Sequence, residues 1–253
     1  MYRIILVSFL LFITSFLNAQ NNKLYTDILK TYVKNGLVDY SKLKKDNRLN
    51  KYVESLSKTN PTKFLHNKKL AFWINAYNAF TLKIVVENYP IKSITELHTG
   101  GRIIGYLLSK TVWDKEFITI NKKRYSLNDI EHKILRKTNE PRIHFAIVCA
   151  SISCPVLRNE AYTEDKIEQQ LTDQTKRFLS DPTRNYFDVK NREAYISKIF
   201  SWFSKDFGSS DENILKFTSK YLPENISKDI KNNIDAWDIS YQNYNWNLND
   251  SKK

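Results

Sequence analysis

Between Asn67 and Asn88 apolar residues cover nearly the whole circumference of a 3.6-residue helix. Leu70, Ala71, Trp73, Ile74, Tyr77, Phe80, Leu82, Ile84, Val85 and Val86 leave only the arc of Ala76, Ala79, Lys83 and Glu87 for water. Such a helix is stable only if the rest of the chain wraps it, so it must be central. The flanking patterns supply the wrapping. Leu24, Ile28, Leu29, Tyr32 and Val33 share one helical face before Asn35-Gly36, and Leu49, Tyr52, Val53 and Leu56 share another before Pro61. Phe117 to Tyr125 reads as a hairpin, and Ser126 with Asp129 caps a short helix running to Arg136. The unbroken apolar run Ile143 to Cys149 reads as a strand buried on both faces. A helix over Thr163 to Leu179, a hairpin across Lys190-Asn191-Arg192-Glu193, two short helices and an aromatic tail complete the chain. The expectation is one α+β domain over residues 20–253, its central buried helix packed with further helices against a small, mostly antiparallel sheet.

The residue inventory excludes several chemistries. Only 5 of 253 residues are Gly, and Gly100-Gly101-Arg102-Ile103-Ile104-Gly105 is neither a phosphate loop nor a dinucleotide fingerprint. There is no G-x-S-x-G elbow and no H-E-x-x-H pair. No cofactor motif is present. Residues 1–19 combine Arg3 with an apolar run from Ile4 to Leu17. That run falls short of the ~20 residues that span a bilayer and has the form of an export signal, with cleavage expected after Ala19. No later stretch is apolar for long enough to cross a membrane. The expected location is periplasmic or extracellular. Lys plus Arg number 40 against 27 Asp plus Glu, a net +13, and removing residues 1–19 with their single Arg leaves +12. An anionic envelope polymer or lipid surface suits that charge, as does a Lys-rich background without a partner. Export argues against nucleic acid as the ligand.

Some polar residues fall where apolar ones belong. On the central helix Asn78 points among Ala71, Ile74, Leu82 and Val85, with Asn75 about 60° away. Each must bond either to a neighbouring backbone or to a ligand, because an unpaired buried amide costs roughly 1–3 kcal/mol. Glu131 lies inside the apolar arc of Leu127, Ile130, Ile134 and Leu135, flanked by His132. It is expected either to pair with Arg136, Arg142 or Lys198, or to have its pKa raised and serve as a general acid or base. Further along stand His144, Cys149 and Cys154. In a regular strand His144 and Cys149 point to opposite faces about 16 Å apart, so they form no dyad there. Cys154 reaches His144 only through a tight turn at Ala150–Ser153, and His132 is the base that suits Cys149. The two cysteines, the only ones in the chain, have three open fates: a disulfide, a reactive thiol, or two unpaired buried thiols. With His132 and His144 they offer zinc ligand types but no zinc spacing.

Three stretches together resemble the bacterial domain-of-unknown-function family 547. They are Ala71-Phe72-Trp73-Ile74-Asn75-Ala76-Tyr77-Asn78-Ala79-Phe80, Ser126-Leu127-Asn128-Asp129-Ile130-Glu131-His132, and the run from His144 to Pro155. Ser197-Lys198-Ile199-Phe200 and Tyr244-Asn245-Trp246-Asn247-Leu248-Asn249 extend the likeness to about residues 24–249, with Asn245 where the family's tail more often has Asp. The resemblance implies an exported or envelope domain with no settled biochemistry. Three functions stand at this point. One is a hydrolase- or acyltransferase-type site with Cys149 or Cys154 as nucleophile, His144 or His132 as base, Glu131 as acid or base, and Asn78 and Asn75 as orienting donors. Another is a non-catalytic envelope binding or scaffolding module stapled by Cys149–Cys154, and the third is a Glu131–His site independent of the thiols.

Overall fold

A computed structural model describes residues 22–99 and 111–252. The export-signal run and the glycines at 100, 101 and 105 lie outside the described residues. Helix α1 (22–32) turns Tyr25, Ile28 and Leu29 into the core. It ends in a two-residue hairpin of β1 (Val33–Lys34) and β2 (Leu37–Val38). Asn35 at φ 52 and Gly36 at φ 79 give the left-handed pair that such a turn demands. Gly36 is also sterically required, since a Cβ there would sit 2.6 Å from the Cβ of Val156. Helix α2 (Arg48–Lys58) buries Leu49, Tyr52 and Leu56, and the Tyr52 ring stacks on Tyr25 at 4.3 Å.

Helix α3 (His66–Asn88) is the central element, and it is more deeply enclosed than its periodicity indicates. Ala76 and Ala79, expected to face water, are both 0% exposed. Single-carbon side chains let neighbouring backbone close onto the helix, so a weakly apolar arc becomes a packing surface rather than a wet one. The solvated part of that arc shrinks to Lys83 and Glu87, which pair at 2.7 Å.

Beyond α3 the hairpin forms as expected from β3 (Ile118–Ile120) and β4 (Lys123–Tyr125). The cap also forms: the Ser126 N–H donates to Asp129 Oδ2 at 2.9 Å, and the Asp129 N–H donates to Ser126 Oγ at 3.0 Å. The segment past the cap, Asp129–Leu135, is π-helical. Such i→i+5 geometry is rare and recurs at functional sites.

The segment 143–149 differs from expectation. Instead of a buried strand it forms one helical turn, α4 (Ile143–Ala146), and then runs extended. A short apolar run carries no period that separates strand from buried helix. Here Pro141 and Arg142 start a turn, with the His144 N–H bonding to the Pro141 carbonyl at 3.2 Å and the Phe145 N–H to the Arg142 carbonyl at 3.1 Å. Among the described residues the extended part pairs with no strand. A side chain substitutes: Asn78 Nδ2 donates to the Ala146 carbonyl and Asn78 Oδ1 accepts from the Val148 N–H, both at 2.9 Å.

Helix α5 (Ile167–Leu179) is followed by β5 (Tyr186–Asp188) and β6 (Glu193–Ile196), an antiparallel pair. Helices α6 (Lys198–Trp202), α7 (Asp211–Ser219) and α8 (Glu224–Asn232) precede β7 (Asp238–Tyr241), which joins β6 in parallel. The fold is α+β, with three small sheets among helices in the described residues. Two apolar clusters divide the interior. The larger surrounds α3, and the smaller gathers Phe145, Phe178, Phe200 and Phe207. The tail returns across their seam, with Asn249 N–H on the Ala150 carbonyl at 3.0 Å and Ile152 N–H on the Asn247 carbonyl at 2.9 Å.

Candidate functional site

Glu131 and His132 from the π-helical segment, His144 from α4, and Cys149 and Cys154 from the loop after it all border one cavity of about 180 Å³. Because 143–149 is a turn and not a strand, His144 and Cys149 face the same hollow. A larger cavity, about 370 Å³, lies against α1, α2 and α3 and is bordered by Asn75, Tyr52 and Tyr162. Among the described residues no histidine, neither cysteine and not Glu131 reaches it, so the His, Cys and Glu131 candidates gather at the smaller cavity.

Glu131 is 7% exposed. Burial pushes its carboxyl up to about 7, against the Tyr77 hydrogen bond and the Arg136 charge, which pull it down, and with the Asp206 charge adding to the rise. Tyr77 O–H donates to Glu131 Oε2 at 3.2 Å. Two of the three expected cation partners are engaged elsewhere: Arg136 forks onto Asp206 at 2.6 and 2.7 Å, and Arg142 binds Glu140 and Glu168. Among the described residues, the basic nitrogen within 4 Å of Glu131 is His144 Nδ1, at 3.9 Å.

The His144 tautomer is set by its neighbours. Its Nε2 lies 2.7 Å from Asp206 Oδ2. Burial works to raise the Asp206 carboxyl, but the bonds from His144 and Arg136 outweigh it and hold that carboxyl well below the ordinary range. An ionised carboxylate only accepts, so Nε2 carries the proton and Nδ1 keeps a lone pair. That lone pair is buried, has no hydrogen bond among the described residues, and faces Glu131. Burial lowers the His144 pKa despite Asp206, and Phe203 stacks over the ring at 4.0 Å. His132 is treated similarly. Arg136 Nη1 donates to its Nδ1 at 3.1 Å, leaving the proton on Nε2, and burial with the Arg136 charge lowers its pKa.

Asn75 and Asn78 are not at this cavity. Asn75 brackets the backbone of Tyr162, donating to its carbonyl at 2.8 Å and accepting its N–H at 2.9 Å, as Asn78 brackets Ala146 and Val148. Both expected orienting donors are spent on main chain.

The cysteines are bonded to each other, with Cα atoms 6.2 Å apart, and neither carries a free thiol in this structure. Ala150 in the left-handed region (φ 59) folds the loop back. Arg184 donates to the carbonyls of Ile152 and Cys154, and the tail bonds the same loop. A loop this short gains only about 2 kcal/mol from its bridge in the chain-entropy account. Replacing both cysteines by Ser is therefore expected to lower the melting temperature by roughly 6 °C without unfolding the chain. Calorimetry reads the shift, and thiol titration in denaturant should find no reactive sulfur before reduction and both after it.

Sequence reasoning missed Asp206, Tyr77, Trp202 and Tyr244. Tyr77 reads as core and Tyr244 as tail, while nothing in Ser204-Lys205-Asp206-Phe207 marks its carboxylate. Among the described residues no group of three His, Cys, Asp or Glu side chains is placed to hold a metal ion.

Residues 61–179 match the family described as "Protein of unknown function, DUF547". Over that stretch the chain resembles DUF547. The match contains Asn75 and Asn78 and, at the cavity, Glu131, His132, His144, Cys149 and Cys154, so the matched segment brings most of the cavity wall. It ends before Trp202, Tyr244 and Trp246, which complete the wall from outside the matched residues, and before Asp206, which holds His144 from behind the wall. No curated protein and no solved structure matches the chain.

Proposed function

We propose that this chain is an exported cell-envelope protein whose cleft is a thiol-independent acid–base site of the hydrolase or transferase type. The observation that carries the reading is Glu131, a buried carboxyl that borders an open cavity, ionises near neutral pH and has no Lys or Arg partner among the described residues. As the carboxylate it takes a proton from a bound water or hydroxyl nucleophile. As the acid it returns that proton to the leaving group. His144, anchored by Asp206, is a positioning residue, because its Nδ1 lone pair offers the Glu131 proton a direction. The apolar run at Ile4 to Leu17 supports export, and the Cys149–Cys154 bridge supports an oxidising compartment.

The test is a panel of chromogenic esters, amides and glycosides offered to the full chain. Glu131→Gln is expected to lose ~10²-fold or more of the turnover found, while Cys149→Ala with Cys154→Ala keeps it. Turnover that survives Glu131→Gln, or that vanishes with the cysteines, overturns the assignment. The bridge and the two backbone-bound asparagines favour a second reading, a non-catalytic envelope binding module stapled at Cys149–Cys154. A panel that yields no turnover at all selects that one.

A further inference from the structure

The cavity lining also carries aromatic rings. Trp246 packs against Trp202 at 5.7 Å with planes 25° apart, against Tyr244 at 4.5 Å, and against Trp113 at 5.7 Å. These rings come from α6, the tail and the segment before β3, so distant stretches assemble one surface. Trp202 is 46% exposed, although burial of a side chain that large is strongly favourable. Other residues of the lining are polar. His132 presents Nε2–H, and Asn128, whose Nδ2 donates to Asp114 at 2.5 Å, offers its carbonyl oxygen as an acceptor. Glu131 stands among them.

The pattern selects a ligand chemistry. Among the described residues no Lys or Arg borders the cavity, although the chain has 40 of them. A phosphate or carboxylate ligand would find no countercharge from that lining. The rings touch one another at 4.5–5.7 Å, which leaves no space between them to enclose a quaternary ammonium. What they offer instead is the exposed part of the Trp202 ring. A pyranose matches it, with C–H groups on its flat side and hydroxyls at its rim for small donors and acceptors. At about 180 Å³ the hollow is smaller than the ~300–1,000 Å³ of drug-sized sites. It therefore seats one ring of a longer glycan.

We propose that the cleft binds a saccharide ring laid against the exposed Trp202 ring, its hydroxyls directed at Glu131, His132 and Asn128. The inference rests on the cleft being the working site, and it adds the substrate class. Isothermal calorimetry of the full chain tests it with trisaccharides of N-acetylglucosamine, α- and β-linked glucose, mannose and galactose, beside adenosine and benzyltrimethylammonium. At least one trisaccharide is expected to bind saturably, and Trp202→Ala to weaken it about tenfold or more, the equivalent of 1.4 kcal/mol. Trp202→Phe keeps a ring and should recover part of the loss. Trp202 is half exposed, so its removal leaves the fold in place. No saturable trisaccharide, binding indifferent to Trp202→Ala, or adenosine or the ammonium binding where no sugar does would each overturn the proposal. Calorimetry reads binding with or without turnover. A bound sugar with no bond cleaved removes the catalytic reading and leaves this one, whereas turnover lost in Glu131→Gln with no sugar bound does the reverse.

Discussion

At pH 8 the Glu131→Gln chain is expected to melt about 8 °C above the wild type, and at pH 4 the two are expected to melt nearly together. Burial raises the Glu131 carboxyl from its ordinary 4.5 to about 7 in the folded chain. Below 4.5 the folded and unfolded states both hold the proton and the carboxyl favours neither. Between 4.5 and 7 the unfolded chain ionises while the folded one does not, so native stability falls as pH rises. Above 7 both are ionised and the folded state bears the whole cost, about 3 kcal/mol at 1.36 kcal/mol per unit. Glutamine imitates the neutral acid, keeps an acceptor for Tyr77 O–H, and never ionises. Removing the charge should thus stabilise the protein at alkaline pH, the sign expected where a site sacrifices stability for chemistry. A chain of this size gains ~2–4 °C per kcal/mol, which gives the expected shift. Melting curves of both proteins from pH 4 to 9 measure it, and parallel curves would mean that Glu131 is ionised in the fold at little cost.

Asn78→Ala is expected to act in the opposite direction, at every pH. Truncation strands the Ala146 carbonyl and the Val148 N–H in a buried place with no described strand to take them. At ~1–3 kcal/mol for each stranded group, the loss is roughly 3 kcal/mol after relaxation, or about 10 °C in melting temperature. Chemical denaturation with an unchanged m-value would locate that loss in the native state. The Glu131 ionisation, followed by carboxyl infrared absorption, should remain near its wild-type midpoint. A variant as stable as the wild type would show that water or a rearranged backbone takes over the bridge.

These residues show how far the sequence reaches. That Asn75, Asn78 and Glu131 are buried is legible, because the apolar period around them names the interior face whatever packs there. Their bonding partners are not legible. The asparagines bond to backbone 68 to 87 positions away, and Glu131 goes without Arg136 because that guanidinium prefers Asp206, 70 positions further on. Ala76 and Ala79 show the same limit in packing. Their small side chains are compatible with either water or close contact, and only the approach of other elements decides between them.

From sequence alone came the central helix, the α+β class, the hairpins, the cap at Ser126 and the short list of polar residues out of place. Each is a local matter of period, turn chemistry and hydrogen bonding within a few residues. Tertiary structure alone decided that Ile143–Ala146 coils, that Cys149 bonds Cys154, that Asp206 fixes the His144 tautomer, and that tryptophans from separate segments form one wall. Those outcomes depend on which groups meet after the chain has closed on itself. Contact energies between distant residues leave no periodic trace along the sequence from which they could be read.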